Sequence, residues 1–227
     1  MKRSEINGII RRGKEFFEEM KFRLPPWAYW PPEKLKDCGE ECREILENLL
    51  GWDITDFGSG DFHNRGLFLF TLRNGKPGRG IKPYAEKIMI VEENQETPYH
   101  FHWQKAEDII NRGGGNLVIE LRSSASDGGF SDSPLTVRVD GIERRLISGG
   151  SVVLTPGESI CLEPGLYHRF YGEDGNGTVL VGEVSAVNDD TTDNRFYEEL
   201  GRFPALVEDE EPLHLLVSDY RRYLSIS

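Results

Sequence analysis

His100, His102, Glu107 and His168 are the residues of this 227-residue chain whose types and spacing point most directly to chemistry. The first three stand in Y-H-F-H-W-Q-K-A-E (99–107), and the fourth closes E-P-G-L-Y-H (163–168). Residues i and i+2 of a strand face the same way, so His100 and His102 project together. Glu107 follows a short turn, and His168 must be brought in by the fold. Taken singly, each histidine reads as structural. Three of the chain's five histidines falling in two patterned segments argue instead for a shared divalent metal. The set contains no thiolate and therefore suits Mn²⁺, Fe²⁺, Co²⁺, Ni²⁺ or Zn²⁺. Four protein ligands in an octahedral shell leave two positions open, enough to chelate a vicinal carbonyl and hydroxyl.

The His-x-His pair, Glu107 and the glycine run Gly113 to Gly115 together resemble the first cupin motif. Gly157 followed by Pro164-Gly165-x-x-His168 resembles the second. The similarity extends to A-E-K-I-M-I (85–90), the 99–115 and 163–170 segments, G-E-V-S-A-V-N-D-D-T-T-D-N-R-F (182–196) and L-V-S-D-Y (216–220). Together these look like the bacterial and archaeal D-lyxose ketol-isomerases over nearly the whole chain. The cupin motifs alone specify fold and metal, and the V-N-D-D-T-T-D-N-R-F stretch is the part specific to the reaction. The resemblance implies a mainly β, cupin-type antiparallel barrel (jelly roll). It implies conversion of D-lyxose to D-xylulose, with D-mannose to D-fructose as a second activity. Mn²⁺ is the metal it implies, on His100, His102, Glu107 and His168.

Isomerisation moves one proton between C2 and C1 and another between the oxygens, so a base and an acid are needed beside the metal. Lys87 alternates with Met89 and Val91 on an apolar strand, where an unpartnered ammonium would be costly. It is either a catalytic acid or a rim lysine with its head in water. Glu183, at the end of T-V-L-V-G-E, is either the proton-transferring base or an edge carboxylate. Asp190, Asp193 and Arg195 offer hydrogen bonds to several hydroxyls, or form Asx-turns and a helix cap. Gln104 is a further candidate substrate binder. Phe101, Trp103 and Tyr167 flank the ligands, as stacking surfaces for a sugar or as core. His63 and His214 lie outside the motifs and read as structural or surface residues.

Two other enzyme readings fit the tetrad, a cupin dioxygenase and a cupin phosphosugar isomerase, and a third reading is a sugar-storage cupin. The lysine and the polar Asp/Arg loop suit a polyol better than an apolar oxygenase substrate. Storage cupins commonly lose the tetrad. No phosphate cradle stands out, although Arg169 and Arg195 keep that reading open.

The net charge of -12 argues against nucleic acid or an anionic membrane as partner, since both require a basic face, and is compatible with a neutral free sugar. Three cysteines with no paired framework, and a start without a signal-peptide core, make cytoplasmic the expected location. Cys38 and Cys42, one turn apart, are expected to share a helix face.

The whole chain, 1–227, reads as one domain, with a helical segment at 1–51 and a barrel with a C-terminal segment at 52–227. Helical spacing of Ile6, Ile9, Ile10, Phe16, Phe17 and Met20 predicts a helix over 4–21, with Ser4 as cap and Pro25-Pro26 as stop. A second is predicted over 33–50, ended by Gly51. Both are expected to pack outside the barrel and to help form a homodimer. Strands are predicted at 67–73, 87–92, 97–103, 117–123, 135–139, 151–154, 159–162, 168–172 and 178–184, with a hairpin at D-G-I-E-R-R (140–145). The E-D-E-E-P stretch reads as a solvated acidic loop.

Overall fold

Period-2 alternation decides which face of each strand turns inward. The computed structural model describes residues 1–76, 78, 80–187, 192–200 and 206–223. Among these, fourteen strands occur in chain order. They are β1 (Gly51–Thr55), β2 (Leu67–Arg73), β3 (Tyr84–Val91), β4 (His100–His102), β5 (Glu107–Gly114), β6 (Leu117–Ser124) and β7 (Phe130–Ser131). The remainder are β8 (Leu135–Val139), β9 (Ile142–Leu146), β10 (Ser151–Leu154), β11 (Ser159–Leu162), β12 (Tyr167–Gly172), β13 (Val179–Ala186) and β14 (Asn194–Phe196).

The eight-stranded sheet runs β1-β2-β3-β13-β5-β11-β8-β9 and the six-stranded sheet β10-β6-β12-β4-β14. Neighbouring strands are antiparallel, as in β13 against β3 and β5, and β12 against β6 and β4. Leu69, Met89, Ile109, Val137, Ile160 and Val181 of one sheet meet Leu117, Ile119, Leu121, Leu154 and Phe170 of the other. Each such side chain contributes about 1.5–3 kcal/mol on burial. This is the cupin-type jelly-roll barrel that the motifs imply. The β8–β9 hairpin turns through Asp140 and Gly141, both left-handed at φ 50° and 80°, as a two-residue type I′ turn requires.

The outer face of the large sheet is covered by α1 (Arg3–Glu19). Ile6, Ile9, Ile10 and Phe17 pack on Phe68, Phe70, Ile88, Ile90 and Leu180. Because β3 is buried on both faces, its run Ile88–Val91 is continuously apolar rather than alternating. Gly13 permits the close approach, since a Cβ there would lie 2.4 Å from the Phe68 ring. Buried Arg3 donates to both oxygens of Glu208 and of Asp219, tying α1 to the C-terminal segment.

Several expectations are corrected. Helix α1 stops at Glu19, before the prolines, because Lys21 turns left-handed. Ser4 is not the cap, since its N–H and hydroxyl both donate to Asp209. The acidic stretch is therefore more than a solvated loop, with Glu208, Asp209 and Glu210 bonding Arg3, Ser4 and Asn7. The 33–50 helix is broken into α2 (Pro32–Asp37), a 3₁₀ turn at Gly39–Cys42 and α3 (Arg43–Glu47). Gly39, at φ 59°, makes the break. Cys38 and Cys42 flank it as a disulfide with Cα atoms 5.8 Å apart, correcting the expectation of unpaired cysteines. No helix among the described residues is long and apolar enough to cross a membrane.

Candidate active site

β12 lies beside β4 with His168 opposite His100, so the small sheet turns three imidazoles into one end of the barrel. Their ligand atoms all lie within 4.8 Å of one another, a grouping that could hold a metal ion. Backbone carbonyls fix two of the tautomers. His100 Nδ1 donates to the Pro98 carbonyl at 2.9 Å, and His168 Nδ1 to the Leu166 carbonyl at 3.0 Å. Each ring therefore keeps its Nε2 lone pair for a ligand.

Glu107 arrives from β5 of the opposite sheet. Its Oε1 lies 3.0 Å from His168 Nε2 and 3.3 Å from His102 Nε2. His168 Nε2 and Glu107 Oε1 are thus both acceptors, and His102 has neither ring nitrogen bonded, so that both Nε2 atoms are buried without a hydrogen-bond partner. A cation among them satisfies all three. The separations also match neighbouring positions of an octahedral shell, about 3 Å apart for metal–ligand bonds of about 2.1 Å. Burial, then the neighbouring His168 and His102 with which it would share positive charge, hold the His100 pKa well below the usual imidazole value. Burial pushes the Glu107 carboxyl upward, but the Lys105 ammonium and His102 outweigh it and hold the group well below the carboxylate range.

A second group of charges adjoins the first. Glu183 on β13 lies opposite Lys87 on β3, and both point inward. Glu183 Oε1 receives the Lys105 ammonium at 2.9 Å, the Ser185 hydroxyl at 3.0 Å and Lys87 at 3.3 Å. Lys105 also reaches Glu107 Oε2 at 2.7 Å, so one ammonium bridges the two carboxylates. Two lysines and two glutamates, each about 95% buried or more, offset one another's desolvation. Burial raises the Glu183 pKa, yet Lys105 and then Lys87 bring it below the ordinary value, so the carboxylate is ionised at neutral pH.

The cavity between the two groups is completed by apolar side chains, among them Leu67, Leu69, Met89, Ile109 and Phe170, and by Asn194. Phe57 and Phe196 also line it and meet edge-on at 5.9 Å. Phe57 is left-handed at φ 52°, a conformation costing roughly 1–3 kcal/mol for a residue with a bulky side chain.

A family model described as D-lyxose isomerase matches residues 1–220. The chain belongs to the D-lyxose isomerase family. With that family it is a sugar isomerase. It is 48% identical to the D-lyxose/D-mannose isomerase of Serratia proteamaculans, covering 99% of this chain and all of that protein. The Escherichia coli O157:H7 protein of the same name is also 48% identical, over 98% of this chain and all of its own. Among solved structures, the L-ribose isomerase of Acinetobacter sp. DL28 in complex with L-ribose superposes with a TM-score of 0.60. It covers 91% of this chain and 98% of that one at 15% identity. The ligand-free L-ribose isomerase of Cellulomonas parahominis gives 0.61 over the same shares at 14% identity. At that identity the likeness is one of fold.

Within this D-lyxose isomerase family member, the cavity gathers His100, His102, Glu107, His168, Lys87 and Glu183. The other candidates among the described residues lie elsewhere. Gln104 is exposed, and its backbone N–H donates to Asp193. The Asp193 carboxylate takes the N–H groups of Gln104 and Lys105, and its carbonyl that of Trp103, so it fixes the turn from which Lys105 enters. Arg195 pairs with Phe101 on the outer face of β14 and is exposed, while its neighbours Asn194 and Phe196 face the cavity. Asp190 lies outside the described residues. Phe101 and Tyr167 pack edge-on at 4.7 Å outside the cavity, and Trp103 is exposed. Arg169 binds Glu96 and Glu120, also outside.

Lys105 and Phe57 are not legible as site residues in the sequence. The one available signal is parity, since Lys105 stands two before Glu107 and shares its side if the chain is extended there. Phe57 carries no sequence signal, because its place depends on a left-handed turn.

Proposed function

We propose that this protein interconverts D-lyxose and D-xylulose, and D-mannose and D-fructose, as free sugars. The observation that carries the reading is the meeting of two groups, bridged by Lys105, in the lining of one cavity. Three imidazoles with Glu107 form one group, and an ionised glutamate between two lysines the other. His100, His102, Glu107 and His168 would hold one divalent ion, for which the oxygen and nitrogen donors favour Mn²⁺, with Co²⁺, Zn²⁺, Fe²⁺ or Ni²⁺ as substitutes. Bound there, such an ion supplies Lewis acidity toward a carbonyl and orients two vicinal oxygens.

The chain's own residues handle the protons. Glu183 takes the proton from C2 of the open-chain aldose, giving an enediol, and, after exchange with water, delivers a proton to C1. Lys87 serves the oxygens: it gives a proton to O1 and, then neutral, takes the O2 proton, which restores its ammonium. Lys105 keeps Glu183 ionised and in position. Asp193 holds the Lys105 turn, and Asn194 offers hydrogen bonds to a hydroxyl. Gln104 and Arg195 would meet a sugar only at the rim, and Asp190 is kept as a further hydroxyl binder.

The whole chain acts as one cytoplasmic domain, paired as a homodimer. The bonds from Arg3 to Glu208 and Asp219 support the single domain, and the cytoplasmic reading rests on the free-sugar substrate and not on the cysteines, since Cys38 and Cys42 are joined. The test is chelated protein given Mn²⁺ and a panel of free and phosphorylated aldoses, with ketose detection. Ketose from D-lyxose and D-mannose is expected. Turnover of phosphorylated sugars alone would redirect the assignment to a phosphosugar isomerase.

A further inference from the structure

The two sheets meet at a seam where β1 and β14 are both edge strands. At that seam Phe57, from the β1–β2 loop, and Phe196, from β14, touch edge-on at 5.9 Å. Phe196 continues onto the His100 ring, with centroids 5.5 Å apart. The two phenyl rings thus bridge the sheets on the His100 side, and His100 is only partly buried whereas His102 and His168 are buried.

Hydrogen bonds of the backbone with Thr55 and Asp56 shape the loop that presents Phe57. The Phe57 N–H donates to Thr55 Oγ1 at 2.9 Å. The Asp56 carboxylate takes the N–H groups of Gly58 and Gly60. Thr55 and Asp56 are themselves buried. The turn forces a phenylalanine into a left-handed backbone conformation where glycine would be the unstrained choice. Strain of this kind persists only where the surroundings over-determine it, and it concentrates at ligand-contacting positions.

Resting on the isomerase reading above, we infer that Phe57, backed by Phe196, is a specificity-determining residue that ends the cavity and sets the length of aldose accepted. In this placement the apolar wall faces the carbon end of the sugar remote from the reacting carbons, and it disfavours a sixth carbon without excluding it. Removing the ring opens space at that end, which favours six-carbon over five-carbon sugars. One methylene's worth of fit is worth about 10–200-fold in discrimination.

The test compares wild type, Phe57→Gly and Phe57→Leu, each loaded with Mn²⁺. Glycine suits the left-handed backbone and so preserves the turn while removing the ring. Leucine retains part of the bulk. Two readouts are taken: the kcat/KM ratio of D-mannose to D-lyxose, and the Kd ratio of a six-carbon to a five-carbon polyol by calorimetry. Phe57→Gly should shift both ratios at least tenfold toward six carbons, with Phe57→Leu between it and wild type. Folded Phe57→Gly with both ratios within twofold of wild type overturns the inference. If wild type isomerises neither sugar but the polyol ratio shifts, the wall stands and the isomerase reading fails.

Discussion

Replacing Lys105 by methionine removes an ammonium that bridges Glu107 and Glu183, at 2.7 and 2.9 Å. Lys105 is 3% exposed, so water cannot take its place without repacking. Breaking a buried pair by removing one partner costs about 3–5 kcal/mol. In a domain of this size each kcal/mol corresponds to about 2–4 °C, so the metal-free variant should melt about 6–20 °C below wild type. The loss has a sign in pH. Burial alone raises both carboxyl pKa values, and Lys105 is the leading charge that lowers them. Without it the carboxyls take up protons at higher pH, which relieves the buried charge. The gap from wild type should therefore be widest above neutral pH and narrow toward pH 5. Mn²⁺ should restore part of the stability by compensating Glu107. Turnover of D-lyxose should fall about 10²–10⁴-fold, because the base is both displaced and partly protonated. Urea unfolding at several pH values, with and without Mn²⁺, reads the first effect, and ketose production the second. A variant within about 1 kcal/mol of wild type and within threefold in kcat would refute a bridging role for Lys105.

Glu183→Gln and Lys87→Ala should each bind one Mn²⁺ per chain and lose about 10²–10⁴-fold in kcat. Wild type run in D₂O should place deuterium at C1 of the ketose, which Glu183→Gln should not, and a product free of deuterium would point to hydride transfer instead. His214 stacks on Trp52, donates Nδ1–H to the Trp30 carbonyl and receives Lys14 at Nε2. Burial, then Lys14, holds its pKa below the imidazole value, against the pull of that carbonyl. A lowered folded pKa gives stability that is present above about pH 6.5 and lost as pH falls through the folded value. The urea midpoint of the Mn²⁺-loaded protein should thus fall between pH 7 and 5, and less steeply in His214→Phe. Parallel slopes would remove His214 from the account.

Local pattern carries most of the fold. β2, β8, β10 and β11 run between the residues that their alternation and turn signals predict. β5 is not legible because its inward positions include Glu107 and Asn111, which break the apolar alternation, and because its glycine-rich end reads as a turn. The 33–50 helix fails because an amphipathic stripe outweighs Gly39, whose left-handed conformation is a tertiary outcome. The same division runs through the site. His100 and His102 are related by strand parity and can be paired by eye, whereas Arg195 and Asn194 differ by one residue and therefore by face. Which of the two looks inward depends on how β14 registers on β4, which the sequence does not specify. The turn from which Lys105 enters is held by Asp193, far along the chain.

The central claim is that one divalent ion on His100, His102, Glu107 and His168 enables Glu183 to isomerise a free aldose. Chelated protein titrated with Mn²⁺, with bound metal and D-xylulose formation from D-lyxose followed in the same samples, tests it most directly. The account predicts no ketose without metal, a linear rise that stops at one ion per chain, and loss of both signals in His168→Ala. Full turnover by metal-free protein, or a His168→Ala variant that binds one ion and keeps its activity, would contradict it.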